Sequence, residues 1–441
     1  MALAELKKSI EDKSAKLAVI GLGYVGLPLA AMCADVGFNV LGVEVKEERV
    51  ERINAGKSPI EGQEPGLAEL LARVINTGKL HATSDYTKLK DCDVVLIDVE
   101  TPVNAQHEPE YVALRNALCS LGPALKQSAL IIVESTIAPG TMKRVVQPEL
   151  EKASGKKLNR GFYLGNCPER VMPGKLLANL RRMNRVVGGA TPETAEVMAA
   201  LYRHIVQAEL DLTNCVTAEL VKTVENAYRD VQIAFANEVA LICEQVGGDV
   251  WKVRELVNKT PDRQMHLPGA GVGGHCIPKD PWLLASSLQK GDMSLRLIPA
   301  ARTINDSMPL HMLELLKKGL QQAELKLEQA KVLVLGYAYL QNSDDTRNSP
   351  SAALVRELRS AGTKVCIHDP HVTAYQGDLY ELAHGSDAVV LMTAHDTYGD
   401  IDLIRLRKVM KAPIIIDGRR VLDAGKVKKA GFILYQIGIS D

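Results

Sequence analysis

Aromatic side chains are scarce: four Phe, two Trp and twelve Tyr make up 4% of 441 residues. Surfaces that stack bases or sit at a membrane interface use aromatics freely, so both readings weaken together. Net charge is missing too. The 53 Lys and Arg balance 53 Asp and Glu, which leaves no electrostatic pull toward nucleic acid or an anionic membrane. No run of some 18 apolar residues occurs and no basic-then-apolar leader opens the chain, so a cytoplasmic protein without a membrane partner is expected. The eight cysteines, at 33, 92, 119, 167, 215, 243, 276 and 366, contain no CxxC pair. They read as reduced thiols, with neither a disulfide framework nor a zinc site, and no metal is expected. A chain this long exceeds one core, so two or three domains are expected.

What the chain does have is glycine in particular places. Gly269, Gly271, Gly273 and Gly274 fall within six positions, too dense for a helix or strand interior. The spacing predicts a loop that lets a ligand approach the backbone. It delivers one thiol, Cys276, and four residues later one carboxylate, Asp280. His275 and Lys279 flank the thiol, and positive charge there would favour thiolate.

A second glycine group lies near the start. The apolar run Lys16 to Ile20 leads straight into Gly21-Leu22-Gly23-Tyr24-Val25-Gly26 and a helical stretch from Leu27. Strand, glycine turn and helix in that order predict a dinucleotide fold: Gly21 for the turn, Gly23 for close approach of pyrophosphate, Gly26 for helix packing. A strand from Asn39 to Val43 then ends in Glu44, eighteen residues past Gly26. A carboxylate there accepts hydrogen bonds from ribose hydroxyls and repels a 2′-phosphate, which favours NAD over NADP.

Strands at Asp93 to Val99 and Leu130 to Val133 end in Glu100-Thr101-Pro102 and Glu134-Ser135-Thr136. Such polar ends either line a ligand crevice or merely cap helices. Phe162 to Asn166 and Val186 to Gly189 are further strands, the latter read as the last of the first domain. From Thr213 to Val246 there is neither Pro nor Gly, and apolar residues recur at helical spacing. One helix of about 50 Å is expected, with Lys222 and Asn226 one turn apart on one face. Spacing alone leaves both as ordinary surface residues or as functional ones. A largely helical, polar segment from Asn305 to Gln329 precedes a second α/β unit. Its strands are expected at Lys331 to Leu335, Lys364 to His368, Ala388 to Met392 and Pro413 to Ile416. The fold class is α/β, with two Rossmann-like doubly wound domains joined by a long central helix and a helical dimerisation region.

Several stretches together resemble the UDP-glucose/GDP-mannose (nucleotide-sugar 6-) dehydrogenase family. They are Gly21 to Pro28, Glu134-Ser135-Thr136, Pro168-Glu169-Arg170-Val171-Met172-Pro173-Gly174, Glu219 to Asn226, the Cys276 loop, and Asp344 to Pro350. The resemblance implies four domains: an NAD-binding Rossmann domain over 1–208, a central helical domain with the cysteine loop over 209–306, a linker helix over 307–330, and a UDP-sugar-binding domain over 331–441. It implies oxidation of a sugar C6 alcohol to a carboxylate with two NAD. Cys276 would carry a thiohemiacetal and then a thioester, and Lys222, Asn226, Asp280, Glu169 and Thr136 would complete the catalytic set. NAD would touch Gly21, Gly23, Tyr24, Val25, Gly26, Glu44, Thr101 and Thr136. The UDP-sugar would touch Glu169, Arg170, Lys222, Asn226, Gly273, Tyr339 and Arg347, with Arg263 reaching across a homodimer. The wording of the Pro168 and Cys276 motifs looks more like the enzymes for 2-acetamido sugars. UDP-N-acetylmannosamine is therefore the expected substrate, with UDP-N-acetylglucosamine or UDP-glucose as alternatives. Two departures stand out. Leu340 follows Tyr339 where the family carries Lys, and Glu100 replaces a neutral residue before Thr101-Pro102. Other readings are a two-electron hydroxyacid dehydrogenase, which needs no cysteine, and a non-catalytic NAD or nucleotide-sugar sensor.

Overall fold

The computed structural model describes residues 3–60, 64–171, 174–288 and 293–440. The chain divides into two compact units. Unit 1 is Met1–Glu225 with Trp282–Asp292, and unit 2 is Asn226–Pro281 with Met293–Asp441.

Unit 1 is built on eight strands: β1 (Lys16–Ile20), β2 (Asn39–Val43), β3 (Leu80–Thr83), β4 (Val94–Ile97), β5 (Ala129–Val133), β6 (Phe162–Asn166), β7 (Arg185–Gly189) and β8 (Leu210–Asn214). Their order is β3-β2-β1-β4-β5-β6-β7-β8, parallel throughout except for the antiparallel β6–β7 pair. Both faces are covered. Leu17 and Val19 of β1 face one core while Ala18 and Ile20 face the other, as the two-residue alternation of a strand requires. The strand order reverses between β1 and β4, which puts the glycine turn after β1 and the Thr101 turn after β4 at a topological switch point.

Unit 2 holds a five-stranded parallel sheet, order β10-β9-β11-β12-β13: β9 (Lys331–Leu335), β10 (Lys364–His368), β11 (Ala388–Leu391), β12 (Ile414–Asp417) and β13 (Ile433–Gln436). The helix Pro350–Ser360 starts at a Ser349 cap, whose hydroxyl accepts from the Ser351 amide at 3.1 Å. Two long helices complete the chain's framework, Cys215–Val246 and Leu297–Gln322. Among the described residues, no helix is long and apolar enough to cross a membrane.

Three expectations need correction. β8 follows β7, so Val186 to Gly189 is not the last strand of its sheet; Thr213 and Asn214 pair with Gly188 and Gly189. The long helix therefore begins at Cys215, where the Asn214 side chain accepts from the Thr217 amide at 2.9 Å. The helical segment placed at Asn305 to Gln329 is the later part of a helix that already starts at Leu297 and ends at Gln322. β3 and β13 are additional strands whose short runs carry no clear alternation.

Candidate functional site

In unit 1 the three glycines of the first turn have three different reasons. Gly21 sits at φ +90°, and a Cβ there would stand 2.2 Å from the Asp98 carbonyl oxygen. At Gly26 a Cβ would lie 2.0 Å from the Gly21 carbonyl oxygen. Gly23 has nothing within 4 Å: its bare backbone faces open space, as a site for a pyrophosphate at a helix start demands. Tyr24 and Val25 complete the turn. Glu44 ends β2 almost fully buried, with Arg49 Nε 3.4 Å from its carboxylate. Its Oε1 accepts from the Lys46 amide at 3.2 Å. These features fit a dinucleotide with its adenosine ribose at Glu44.

The polar ends of β4 and β5 are stitched together. Thr101 donates to the Thr136 carbonyl at 2.6 Å, and Ser135 donates to the Val99 carbonyl at 2.7 Å. Glu134 has a different task. It is fully buried, bonded to both Arg185 nitrogens at 3.2 and 3.0 Å and to the Tyr202 hydroxyl. Glu169 is half-buried; burial raises its pKa, against the opposing charge of Lys222, so these two predicted residues lie within electrostatic reach. Its carboxylate accepts from the Val171 amide. Arg170 is engaged by Glu225 at 3.1 Å. Met172 and Pro173 of the same motif lie outside the described residues.

Lys222 is buried on the long helix. Three residues earlier, Glu219 accepts from the amides of Gly140 and Met142 at 2.6 and 2.7 Å. Burial pushes its carboxyl up to about 7. Glu219 pins the helix to the turn beyond Thr136. In the sequence it stands only inside the stretch Glu219 to Asn226, where its three-residue spacing from Lys222 on a helix is the usable signal.

In unit 2 the cysteine loop is shaped by the protein itself. A Cβ at Gly273 would be 2.5 Å from Tyr339 Cβ; one at Gly274, φ +90°, would be 2.7 Å from Tyr339 Cζ. At Gly271, φ +117°, a Cβ would stand 2.9 Å from Pro350 Cβ, and at Gly269 2.2 Å from Arg419 Nη1. The glycines thus admit Tyr339, Pro350 and Arg419 close to the loop backbone. Gly274 donates to the Arg347 carbonyl at 2.9 Å, and Asn348 donates to the Gly274 carbonyl at 3.0 Å. Tyr339 is therefore brought against Gly273 and Gly274 and the Arg347 backbone against Gly274, while the Arg347 guanidinium is paired with Asp345.

Cys276 is exposed at the end of this clamp. Its carbonyl accepts from the Asp280 amide at 2.8 Å, opening the helix Asp280–Ala285. The fully buried Asp280 carboxylate accepts from Asn226 Nδ2 at 2.6 Å and lies 3.3 Å from Lys279 Nζ. His275 does not supply the positive charge expected beside the thiol: burial lowers its pKa to about 4, helped by Lys279 and Arg347. Lys279 is the cation of the loop. A buried network that no sequence pattern announces supports the arrangement. Arg302 meets Asp230 at 2.7 Å, Asn305 donates to Asp230 at 2.7 Å, Asn237 donates to Asn305 at 2.9 Å and accepts from the Gly269 amide at 2.9 Å. Arg263 is exposed; its amide donates to the Thr260 carbonyl at 3.2 Å and its guanidinium to the Asp262 carbonyl at 3.3 Å.

Two Rossmann-like sheets, an open glycine turn with an acidic β2 end, and an exposed thiol on a fixed loop define an NAD-binding oxidoreductase. The models for the NAD-binding, central and UDP-binding domains of the UDP-glucose/GDP-mannose dehydrogenase family match residues 15–206, 216–307 and 333–424. The chain belongs to this family and is a nucleotide-sugar dehydrogenase. It is 39% identical to the UDP-N-acetyl-D-mannosamine dehydrogenase of Pyrococcus horikoshii over 97% of this chain and 100% of that one. A solved structure of the P. horikoshii enzyme superposes with TM-score 0.90, covering 96% of this chain and 99% of that one. It is also similar, at 32% identity over 96% of this chain and all of the relative, to an NDP-N-acetyl-D-galactosaminuronic acid dehydrogenase of Ralstonia nicotianae.

Proposed function

We propose that this chain oxidises the C6 alcohol of UDP-N-acetylmannosamine to the carboxylate in two successive hydride transfers. The observation that carries the reading is the exposed Cys276 on a loop fixed by Tyr339, Arg347 and Asn348, one helical turn before a buried Asp280 bonded to Asn226. NAD, when bound at the Gly21 to Gly26 turn, would supply the hydride acceptor, and the C6 hydroxyl gives up its proton to solvent water as the first hydride leaves. Lys222 holds the negative charge that develops on the C6 oxygen, and Asn226 orients it. The Cys276 thiolate adds to the aldehyde carbon, a proton reaches the oxygen, and the thiohemiacetal results. Loss of the second hydride and the hydroxyl proton leaves a thioester. Water, held by Thr136 and deprotonated with the help of Asp280 and Glu169, attacks the thioester carbon and releases the carboxylate and the thiol.

Tyr339, Arg347, Gly273 and Arg170 are assigned to the sugar nucleotide. Leu340 forgoes a charge-assisted contact worth about 1.5–3 kcal/mol, and Glu100 stands exposed beside Thr101. Domain limits of 1–208, 209–306, 307–330 and 331–441 are retained in this reading, as is a cytoplasmic setting for eight reduced thiols. A homodimer with Arg263 acting in trans is supported by apolar residues exposed along the long helix. Val216, Leu220, Val224, Tyr228, Phe235, Ile242 and Val246 are each 37–74% accessible and fall within about 120° of its circumference at 100° per residue.

The substrate is tested by kcat/KM for NADH formation with UDP-N-acetylmannosamine, UDP-N-acetylglucosamine and UDP-glucose. UDP-N-acetylmannosamine is expected to lead by at least about tenfold, a difference of about 1.4 kcal/mol in transition-state binding. Equal or better turnover of UDP-glucose overturns the acetamido-sugar assignment.

A further inference from the structure

Glu64 belongs to none of the motifs above, yet its one carboxylate joins two of them. It receives the Tyr24 hydroxyl from the first glycine turn. It also accepts from the Gly174 amide at 2.7 Å and from the Leu176 amide at 3.2 Å. Gly174 and Leu176 end the segment that carries Glu169 and Arg170. The backbone that follows Glu64 runs directly into a helix. The Leu67 amide donates to the Glu64 carbonyl at 3.2 Å, opening the helix Leu67–Asn76. A Cβ at the neighbouring Gly66, φ +80°, would stand 3.7 Å from Leu177. Gly174 itself, at φ +75°, has open space where a Cβ would stand, and its amide is held by the bond to Glu64. The other end of the segment is anchored independently, by Arg170 on Glu225 at 3.1 Å and on the Asn184 carbonyl at 3.2 Å.

We propose that Glu64 is a positioning residue through which dinucleotide bound at the glycine turn orders the end of the Glu169 segment. The physical route is short. Pyrophosphate on the backbone of Gly23 to Gly26 fixes that turn and with it the direction of the Tyr24 hydroxyl. Tyr24 then holds the Glu64 carboxylate in the one orientation in which both oxygens face the amides of Gly174 and Leu176. Bonds to an ionised acceptor are the stronger kind, and a carboxylate left to rotate would surrender one of them. By linkage the effect runs both ways: a ligand that fixes the Glu169 segment tightens dinucleotide binding by the same factor. The inference rests on the dinucleotide site of unit 1. Only its consequence at Glu169 rests on the mechanism proposed above.

The test is hydrogen exchange at the Gly174 and Leu176 amides of the full chain with and without saturating NADH, set from each variant's own Kd. In the wild type NADH is expected to slow exchange at both amides by about fivefold or more, the low end of ordinary coupling. In Tyr24→Phe, which removes one oxygen, and in Glu64→Ala, the protection of these amides by NADH should vanish while that of the glycine-turn amides persists. No change with NADH in the wild type, or undiminished protection in Tyr24→Phe, overturns the proposal. No sugar nucleotide is present in this assay, so failure of the substrate assignment shows up only in the turnover panel.

Discussion

Tyr339 explains why the residue before His275 must be glycine. At Gly274 an alanine methyl would face the Tyr339 ring at 2.7 Å on a left-handed backbone, and both burdens fall on the loop that presents Cys276. Gly274→Ala is expected to cost about 1–3 kcal/mol of stability, read as a lower denaturant midpoint, with turnover falling as well. Glu44 makes the complementary case for the cofactor. Under the proposed assignment its carboxylate repels a 2′-phosphate, while Arg49, 3.4 Å away, would be left to receive one. Glu44→Ala is therefore expected to shrink the preference for NAD over NADP by about tenfold, about 1.4 kcal/mol, measured as the ratio of kcat/KM values. An unchanged ratio would remove Glu44 from the cofactor site. At this scale much was legible: the sequence showed which residues are glycine, cysteine and acid. It could not show what fills the space beside a glycine, because Tyr339 and Arg419 come from distant positions.

Among the elements, the helix Cys215–Val246 is the most readable, since 32 residues without Pro or Gly leave little else. Its start was not readable, because Leu210–Asn214 alternates poorly between buried and exposed and joins its sheet only through β7. Glu219 holds that start in place and gives the helix a pH dependence. Burial raises its carboxyl from 4.5 to about 7, so the folded state binds the proton more tightly than the unfolded state. Stability contributed at this position is thus present below about pH 4.5 and is lost as pH rises toward 7. Unfolding free energy should fall more steeply across that window in the wild type than in Glu219→Gln, and parallel profiles would refute the assignment. The Arg302–Asp230–Asn305–Asn237 network was invisible for a related reason: polar residues inside helices look like surface until their partners are known.

For the whole molecule, the apolar stripe on the long helix predicts self-association. Phe235→Arg with Tyr228→Arg places two charges on residues now 59% and 62% accessible, so folding should survive. Sedimentation is expected to show the wild type as a dimer and the double variant as a monomer, with lower turnover if Arg263 acts in trans. The central claim, however, is that one thiol serves two oxidations. The direct measurement is the amount of NADH formed per molecule of limiting UDP-N-acetylmannosamine at completion, in the wild type and in Cys276→Ala. Two NADH per sugar and a carboxylate product are expected for the wild type, and no turnover to the carboxylate without the thiol. One NADH per sugar from the wild type, or two from Cys276→Ala, would contradict it.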